Sequence, residues 1–302
     1  MSFPPPTSLK AMNAPIQEVL DLLALEKIEE NIFRGLSPKD RVQRVFGGQV
    51  LGQALMAACR TVEGRLCHSL HAYFLRAGDP KVPILYEVDR SRDGASFTAR
   101  RVVAIQHGRP IFTLEASFQK DEPGYEHAFE RPDVPAPETL LSDTELRAAV
   151  ADRVPPELCA WVFRPRPFET RPVDPRPFFT PAKREPHEMF WIKAAGSLPD
   201  DPALHRCIAA FASDMSIIGT AMAPHGIGWY DDIVQLASLD HAMWFHRPFR
   251  IDEWLLLVQD SPSASGARGF NRGLLYNRAG ALVASVAQEG LMRPTRPRVV
   301  ST

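Results

Sequence analysis

At 302 residues the chain has room for one large domain or two of ordinary size, and its 45% hydrophobic and 24% charged content is that of a globular protein with a substantial core. A formal net charge of −1 lacks the basic excess that a phosphate backbone demands, so nucleic acid is not an expected partner. The four cysteines (Cys59, Cys67, Cys159, Cys207) are scattered without a C-x-x-C pair, which argues against structural zinc and for ordinary thiols in a reducing compartment.

The N-terminal stretch "MSFPPPTSLKAMNAP" has no basic segment followed by an apolar run, and the C-terminal "VVST" is not a peroxisomal tripeptide. No apolar run is read as approaching the roughly 18 to 20 residues that span a bilayer. The expectation is a cytoplasmic protein without membrane insertion.

Residues 16–33, "IQEVLDLLALEKIEENIF", carry apolar groups at helical spacing and predict an amphipathic leading helix. "FGGQVLGQALMAACRTV", 46–62, predicts a second helix, with Val50, Leu51, Ala54, Leu55 and Ala58 on one face. Gly48 and Gly52 each cost this helix about 1 kcal/mol of propensity, a cost that close approach to another element would offset. The period then changes to two. "SLHAYFL", "VPILYEVDRS", "FTARRVVAIQ" and "PIFTLEASFQ" read as four strands, with "QHGRP" as a tight hairpin turn. The short connections leave no room for crossover helices, so the strands are antiparallel.

A second series opens at Asp201, a good N-cap, with Pro202 in the first helical position. Leu204, Ile208, Phe211, Met215 and Ile218 share one face, and the strands "IVQLASLDHAMWF", "EWLLLVQDS", "ARGFNRGLLYN" and "ALVASVAQEGLM" follow. "HAYFLR" at His71 matches "HAMWFHR" at His241, and the spacing from each histidine to Gln119 or Gln288 is 48 or 47 residues. This is duplication of a whole unit. The predicted organisation is 1–125 as the first unit with its leading helix, 126–187 as a Pro-rich connector, and 188–302 as the second unit. The connector segment "RPRPFETRPVDPRPFFTPAKREP" can be neither regular helix nor central strand. A helix followed by long antiparallel strands, written twice, is an α+β arrangement of two sheets, each wrapped around its own helix.

Together "VFGGQVLGQAL", "HAYFLRAGD", "RDGASFTARRVVAIQ", "ASDMSIIGTAMAPHGIG", "LDHAMWFHRPF" and "VASVAQEGLMR" closely resemble the acyl-CoA thioesterase II family, from about Leu23 to Arg293. The resemblance implies a double hotdog fold and hydrolysis of fatty acyl-CoA to fatty acid and CoA, hence a role in fatty acid metabolism. It also implies no metal or organic cofactor and a homo-oligomer, dimer or tetramer. By motif it assigns a catalytic trio of Asp214 in "ASDM", Ser238 in "ASLDH" and Gln288 in "VAQEG". The family commonly has threonine where Ser238 stands, so the hydroxyl is kept but the methyl that restricts χ1 is lost.

The residues themselves permit that chemistry without requiring it. Asp214 flanks the apolar stripe of its helix, where partial desolvation would raise its pKa and make it a better base; a cap for a new helical turn is the plainer role. Gln288 shares a strand face with Leu282, Ala284 and Val286 and must find hydrogen-bond partners, in a site or on nearby backbone. Ser238 taken alone is an ordinary strand serine. The first unit has no acid between Phe46 and Arg60, and Gln119 falls opposite its apolar neighbours, so one working site per chain, in the second unit, is expected. His241 and His246 point to opposite faces of a regular strand and cannot share a metal. Matching His71 to His241 assigns both a structural role. Asp240, two residues from Ser238, shares its face if the strand is regular. No G-x-S-x-G elbow is present, "GGQVLG" does not space glycines as a nucleotide loop does, and "GDPKVP" lacks the Asn and His of a hotdog enoyl-CoA hydratase. That hydratase and a non-catalytic acyl-thioester binding protein are the alternatives.

Overall fold

The structure, a computed structural model, describes residues 14–38, 44–176, 182–228 and 233–295. The two chain ends read above for targeting signals lie outside the described residues, in full at the C-terminus and all but Ala14 and Pro15 at the N-terminus.

The leading helix is shorter than its periodicity predicts. Helix α1 spans Ala14–Leu23, and the chain then forms a hairpin of β1 (Glu26–Glu29) and β2 (Ile32–Gly35). Asn31 turns this hairpin at φ 63°, a left-handed conformation that asparagine tolerates better than most residues. Leu25 and Ile28 extend the apolar spacing of α1 past its end, which is why a helix was expected there.

Helix α2 (Gly47–Cys59) is buried along nearly its whole length, and β3 (Leu66–Phe74), β4 (Ile84–Asp93), β5 (Phe97–Gln106) and β6 (Arg109–Gln119) wrap around it. His107 and Gly108, at φ 50° and 68°, make the tight turn between β5 and β6. The connector is not devoid of structure: it holds the short helices α3 (Asp143–Ala148) and α4 (Pro156–Val162) and a strand, β7 (Phe168–Pro172), at the edge of the sheet. Proline is tolerated there because an edge strand has no partner on one side.

The second unit adds β8 (His187–Ala194), α5 (Pro202–Ser213), α6 (Ile218–Met222), β9 (Val234–Ser238), β10 (Asp240–Phe245), β11 (Leu255–Ser265), β12 (Arg268–Asn277) and β13 (Leu282–Pro294). Asp201 caps α5 as predicted, accepting from the Ala203 and Leu204 amides at 2.9 and 3.3 Å. The sheet runs β1-β2-β4-β5-β6-β3-β10-β13-β12-β11-β8-β7, and the two units join edge to edge where β3 pairs antiparallel with β10. This is the double hotdog layout, with α2 and α5 side by side under one continuous sheet.

Against expectation, one apolar segment is long enough to span a bilayer. Pro202–His225 has the length and composition of a membrane span, yet 83% of its most apolar stretch is buried inside the fold, where α5 serves as the central helix of the second unit.

Two further expectations change. The strand "IVQLASLDHAMWF" breaks at Leu239 into β9 and β10, which follow one another along the same edge of β13. His71 and His241 are not equivalent. His71 lies exposed with its ring edge-on to Trp244 at 5.2 Å, whereas His241 is fully buried. "HAMWFHR" has one residue more than "HAYFLR", and a shift of one residue turns a side chain to the other face.

Candidate active site

The close approach of two helices creates the site. At Gly48 a Cβ would lie 2.3 Å from the Phe211 carbonyl oxygen of α5, and at Gly47 one would lie 2.6 Å from Asp214 Oδ2. Only glycines let the N-terminus of α2 reach the C-terminus of α5. Phe46, the N-cap of α2, supplies no side-chain bond. The Asp214 carboxylate takes that role from the other unit, accepting from the Gly48 amide at the positive end of the helix.

Asp214 is only 8% exposed. Its Oδ1 accepts from Ser238 Oγ at 2.8 Å, and Gln288 also donates to the carboxylate. Gln288 Nε2 reaches Ser238 Oγ at 3.2 Å. Loss of solvation raises the Asp214 pKa from 3.8 to about 6, while the donors Ser238, Gln288 and Gly48, together with the positive charge of Arg44, hold it from rising further. Arg44 is fastened nearby through Nη2 to the Leu236 carbonyl at 2.9 Å.

The break at Leu239 brings the hydroxyl into place. Ser238 pairs with Gly290 on β13, the Leu239 amide donates to the Glu289 carbonyl, and β10 resumes the pairing with Ala242 opposite Ala287. Gln288 sits in the gap. Asp240 does not share the network of Ser238: its Oδ1 accepts from the Glu289 amide at 2.8 Å, a backbone tie just past the break. His241 faces inward and His246 outward to Ser285 Oγ, so the two cannot ligate one metal.

The three residues predicted by motif thus stand together, and four neighbours were missed. Gly48 and Arg44 come from the first unit, near no motif containing Asp214. His241 Nδ1 lies 2.5 Å from Gln288 Oε1, and Ser213 Oγ lies 2.9 Å from His241 Nε2. A buried histidine in a run of apolar strand residues was the available signal for the last pair.

The corresponding place in the first unit is built differently. Arg100, 1% exposed, fills it with Nε on Thr61 Oγ1 at 2.8 Å and Nη2 on Asp93 at 2.7 Å. Gln119 lies near the surface, donating to Glu122.

A sequence profile described as acyl-CoA thioesterase matches residues 163–291, and one described as acyl-CoA thioesterase N-terminal domain matches residues 37–119. Human acyl-coenzyme A thioesterase 8 is 44% identical over 290 residues, covering 93% of this chain and 90% of that protein. The chain belongs to the acyl-CoA thioesterase II family. The crystal structure of acyl-CoA thioesterase II TesB2 from Mycobacterium marinum is 41% identical, covers 91% of this chain and 98% of that one, and superposes with a TM-score of 0.75. A protein of unknown function with a hot dog fold from Alicyclobacillus acidocaldarius, 19% identical, superposes with a TM-score of 0.71 over 92% of this chain and 98% of its own, a likeness of fold. As an acyl-CoA thioesterase the chain is a thioester hydrolase; the N-terminal profile lies within the first unit, and the other covers the end of the connector from residue 163 as well as the second unit.

Proposed function

We propose that this thioesterase hydrolyses fatty acyl-CoA by direct attack of water, with Asp214 as general base and Ser238 and Gln288 positioning the reactants. The observation that carries the proposal is the buried Asp214 carboxylate, raised to about 6 and held by the Ser238 hydroxyl, the Gln288 amide and the Gly48 amide. A carboxylate so poised is ionised at neutral pH yet basic enough to take a proton.

Water oxygen bonds to the thioester carbonyl carbon and gives a proton to Asp214, the C–S bond breaks, and the thiolate of CoA takes that proton back. The products are a fatty acid and a thiol, with no acyl-enzyme and no cofactor. Ser238 Oγ donates to Asp214 and keeps lone pairs to accept from the water. Gln288 is uncharged at every working pH, so its amide can donate to the carbonyl oxygen or the water without competing for the proton. General-base catalysis contributes roughly 10²- to 10⁴-fold.

The arrangement supports one working site per chain, because the first unit offers Arg100 and Thr61 where the second offers Asp214 and its partners. We also propose a homo-oligomer, dimer or tetramer, since the sheet ends in the edge strands β1 and β7, and a cytoplasmic location, in keeping with four cysteines that are all free thiols.

The test is thiol release from palmitoyl-CoA by wild type and Asp214→Asn. Turnover by wild type and a loss of at least about a hundredfold in the folded variant support the base. Equal turnover removes Asp214 from the mechanism, and absence of turnover by both across chain lengths favours a binding protein.

A further inference from the structure

Gln288 has two ends that differ chemically, and only one orientation of its amide serves the proposed site. With Nε2 toward Ser238 and Asp214 it donates. Turned over, it would present Oε1 to the carboxylate, acceptor against acceptor. The carboxylate alone favours the first orientation, and the structure adds a second restraint on the far side: His241 Nδ1, 2.5 Å from Gln288 Oε1.

Since an amide oxygen only accepts, Nδ1 must carry the proton. Burial holds the His241 pKa down to about 4, so the ring is neutral and Nε2 is an acceptor. Ser213 Oγ lies 2.9 Å from it and 2.9 Å from the Ala210 carbonyl oxygen, so its one hydroxyl proton is shared between two acceptors. Ser213 immediately precedes Asp214, so the bonds close a ring: Asp214, Ser238, Gln288, His241, Ser213, and back through the peptide bond.

The duplicated fold supplies an internal control. At the seam, β3 and β10 pair with Ala242 opposite His71, and the twofold relation that exchanges this pair carries Leu70 to His241. In the first unit Leu70 pairs with Ala116, and Ala116 with Arg100. In the second unit His241 bonds to Gln288, and Gln288 pairs with Asn271. All six residues are buried. The fold therefore accepts leucine at the histidine position and alanine at the glutamine position, and the two polar residues occur together in the unit that holds the acid.

We infer that His241 is a positioning residue for the hydrolysis, its Nδ1–H fixing the Gln288 amide so that Nε2 faces Ser238 and Asp214. The inference rests on the proposed site. It predicts that His241→Leu folds, because Leu70 occupies the corresponding place, and that kcat falls about tenfold to a hundredfold, the usual cost of losing a partner that orients a site residue. KM for palmitoyl-CoA is unchanged. Asp214 is faced by Ser238, Gln288, the Gly48 amide and Arg44, so weakening the Gln288 donor moves the acid limb of the pH–rate profile upward.

The experiment compares His241→Leu, His241→Asn, Gln288→Ala and the His241→Leu/Gln288→Ala double variant, each by kcat, KM, pH profile and thermal unfolding. Asparagine places an amide N–H near the position of Nδ1, so His241→Asn recovers most of the loss. The double variant is no slower than Gln288→Ala alone. Wild-type kcat in His241→Leu, equal losses in the Leu and Asn variants on an unshifted acid limb, or additive losses in the double variant overturn the inference. If His241→Leu does not fold, the internal control fails with it, and the inference then stands or falls on whether His241→Asn keeps kcat and the acid limb. Wild-type activity in Gln288→Ala refutes the proposed site itself, a result distinct from these.

Discussion

Replacing Asp214 by asparagine should make the protein less active and more stable at neutral pH. Raising a carboxyl from 3.8 to about 6 disfavours its ionised form by about 3 kcal/mol, at roughly 1.4 kcal/mol per pH unit. Because the folded pKa lies above the unfolded one, the folded state binds the proton more tightly. The penalty is absent below about pH 3.8, grows as pH rises toward about 6, and is full above that. Asparagine carries no charge and avoids it. One carboxylate oxygen becomes an amide donor, however, and one of the bonds from Ser238, Gln288 or Gly48 is lost, which returns about 1 kcal/mol or more. The net gain for Asp214→Asn is about 1 to 2 kcal/mol at pH 7.5 by that accounting. Urea unfolding of both proteins at pH 5 and pH 7.5 measures it: the difference between them should widen toward the higher pH. A variant less stable than wild type at pH 7.5, or a difference that does not change with pH, would refute the account of a desolvated carboxylate.

The rate profile should mirror the same group, with kcat/KM rising as pH climbs through about 6 and level above it; a profile flat from pH 5 to 8 contradicts a base with this pKa. Ser238→Ala removes the 2.8 Å donor to Asp214, which moves the acid limb upward and lowers kcat by roughly 10²-fold, while Ser238→Thr keeps the hydroxyl and most of the activity. Gly48→Ala drives a Cβ to 2.3 Å from the Phe211 carbonyl oxygen, backbone that cannot rotate away. Chemical denaturation should show a loss of about 1 to 3 kcal/mol, and activity should fall by more than the loss of folded protein explains.

The long strands and the two central helices were legible because burial imposes period two on a strand and about 3.6 on a helix, and both patterns are sustained over most of these elements. The β1–β2 hairpin was not, since Leu25 and Ile28 continue the spacing of α1 and the turn at Asn31 is marked by one residue. Pro202–His225 does not read as one apolar run, because His205, Arg206 and Asp214 interrupt it, although its mean hydropathy is high. Asp214, Ser238 and Gln288 came from motif resemblance, and no local rule singles them out. Gly48 was read as permitting close approach, but the partner it approaches lies more than 160 residues away, so its contact with the acid could only come from the fold. His241 was matched to the wrong counterpart: aligning identical letters placed it on His71, whereas strand register places it on Leu70. That position holds a buried polar residue where the other unit has leucine.

The most direct test of water activation by Asp214 is a single turnover, with enzyme in excess over palmitoyl-CoA, in which free CoA and free fatty acid are both quantified at each quenched time point. Direct hydrolysis predicts that the two appear with the same rate constant in wild type and slow together in Asp214→Asn. Release of CoA ahead of fatty acid, with the acyl group retained on the protein, would contradict it.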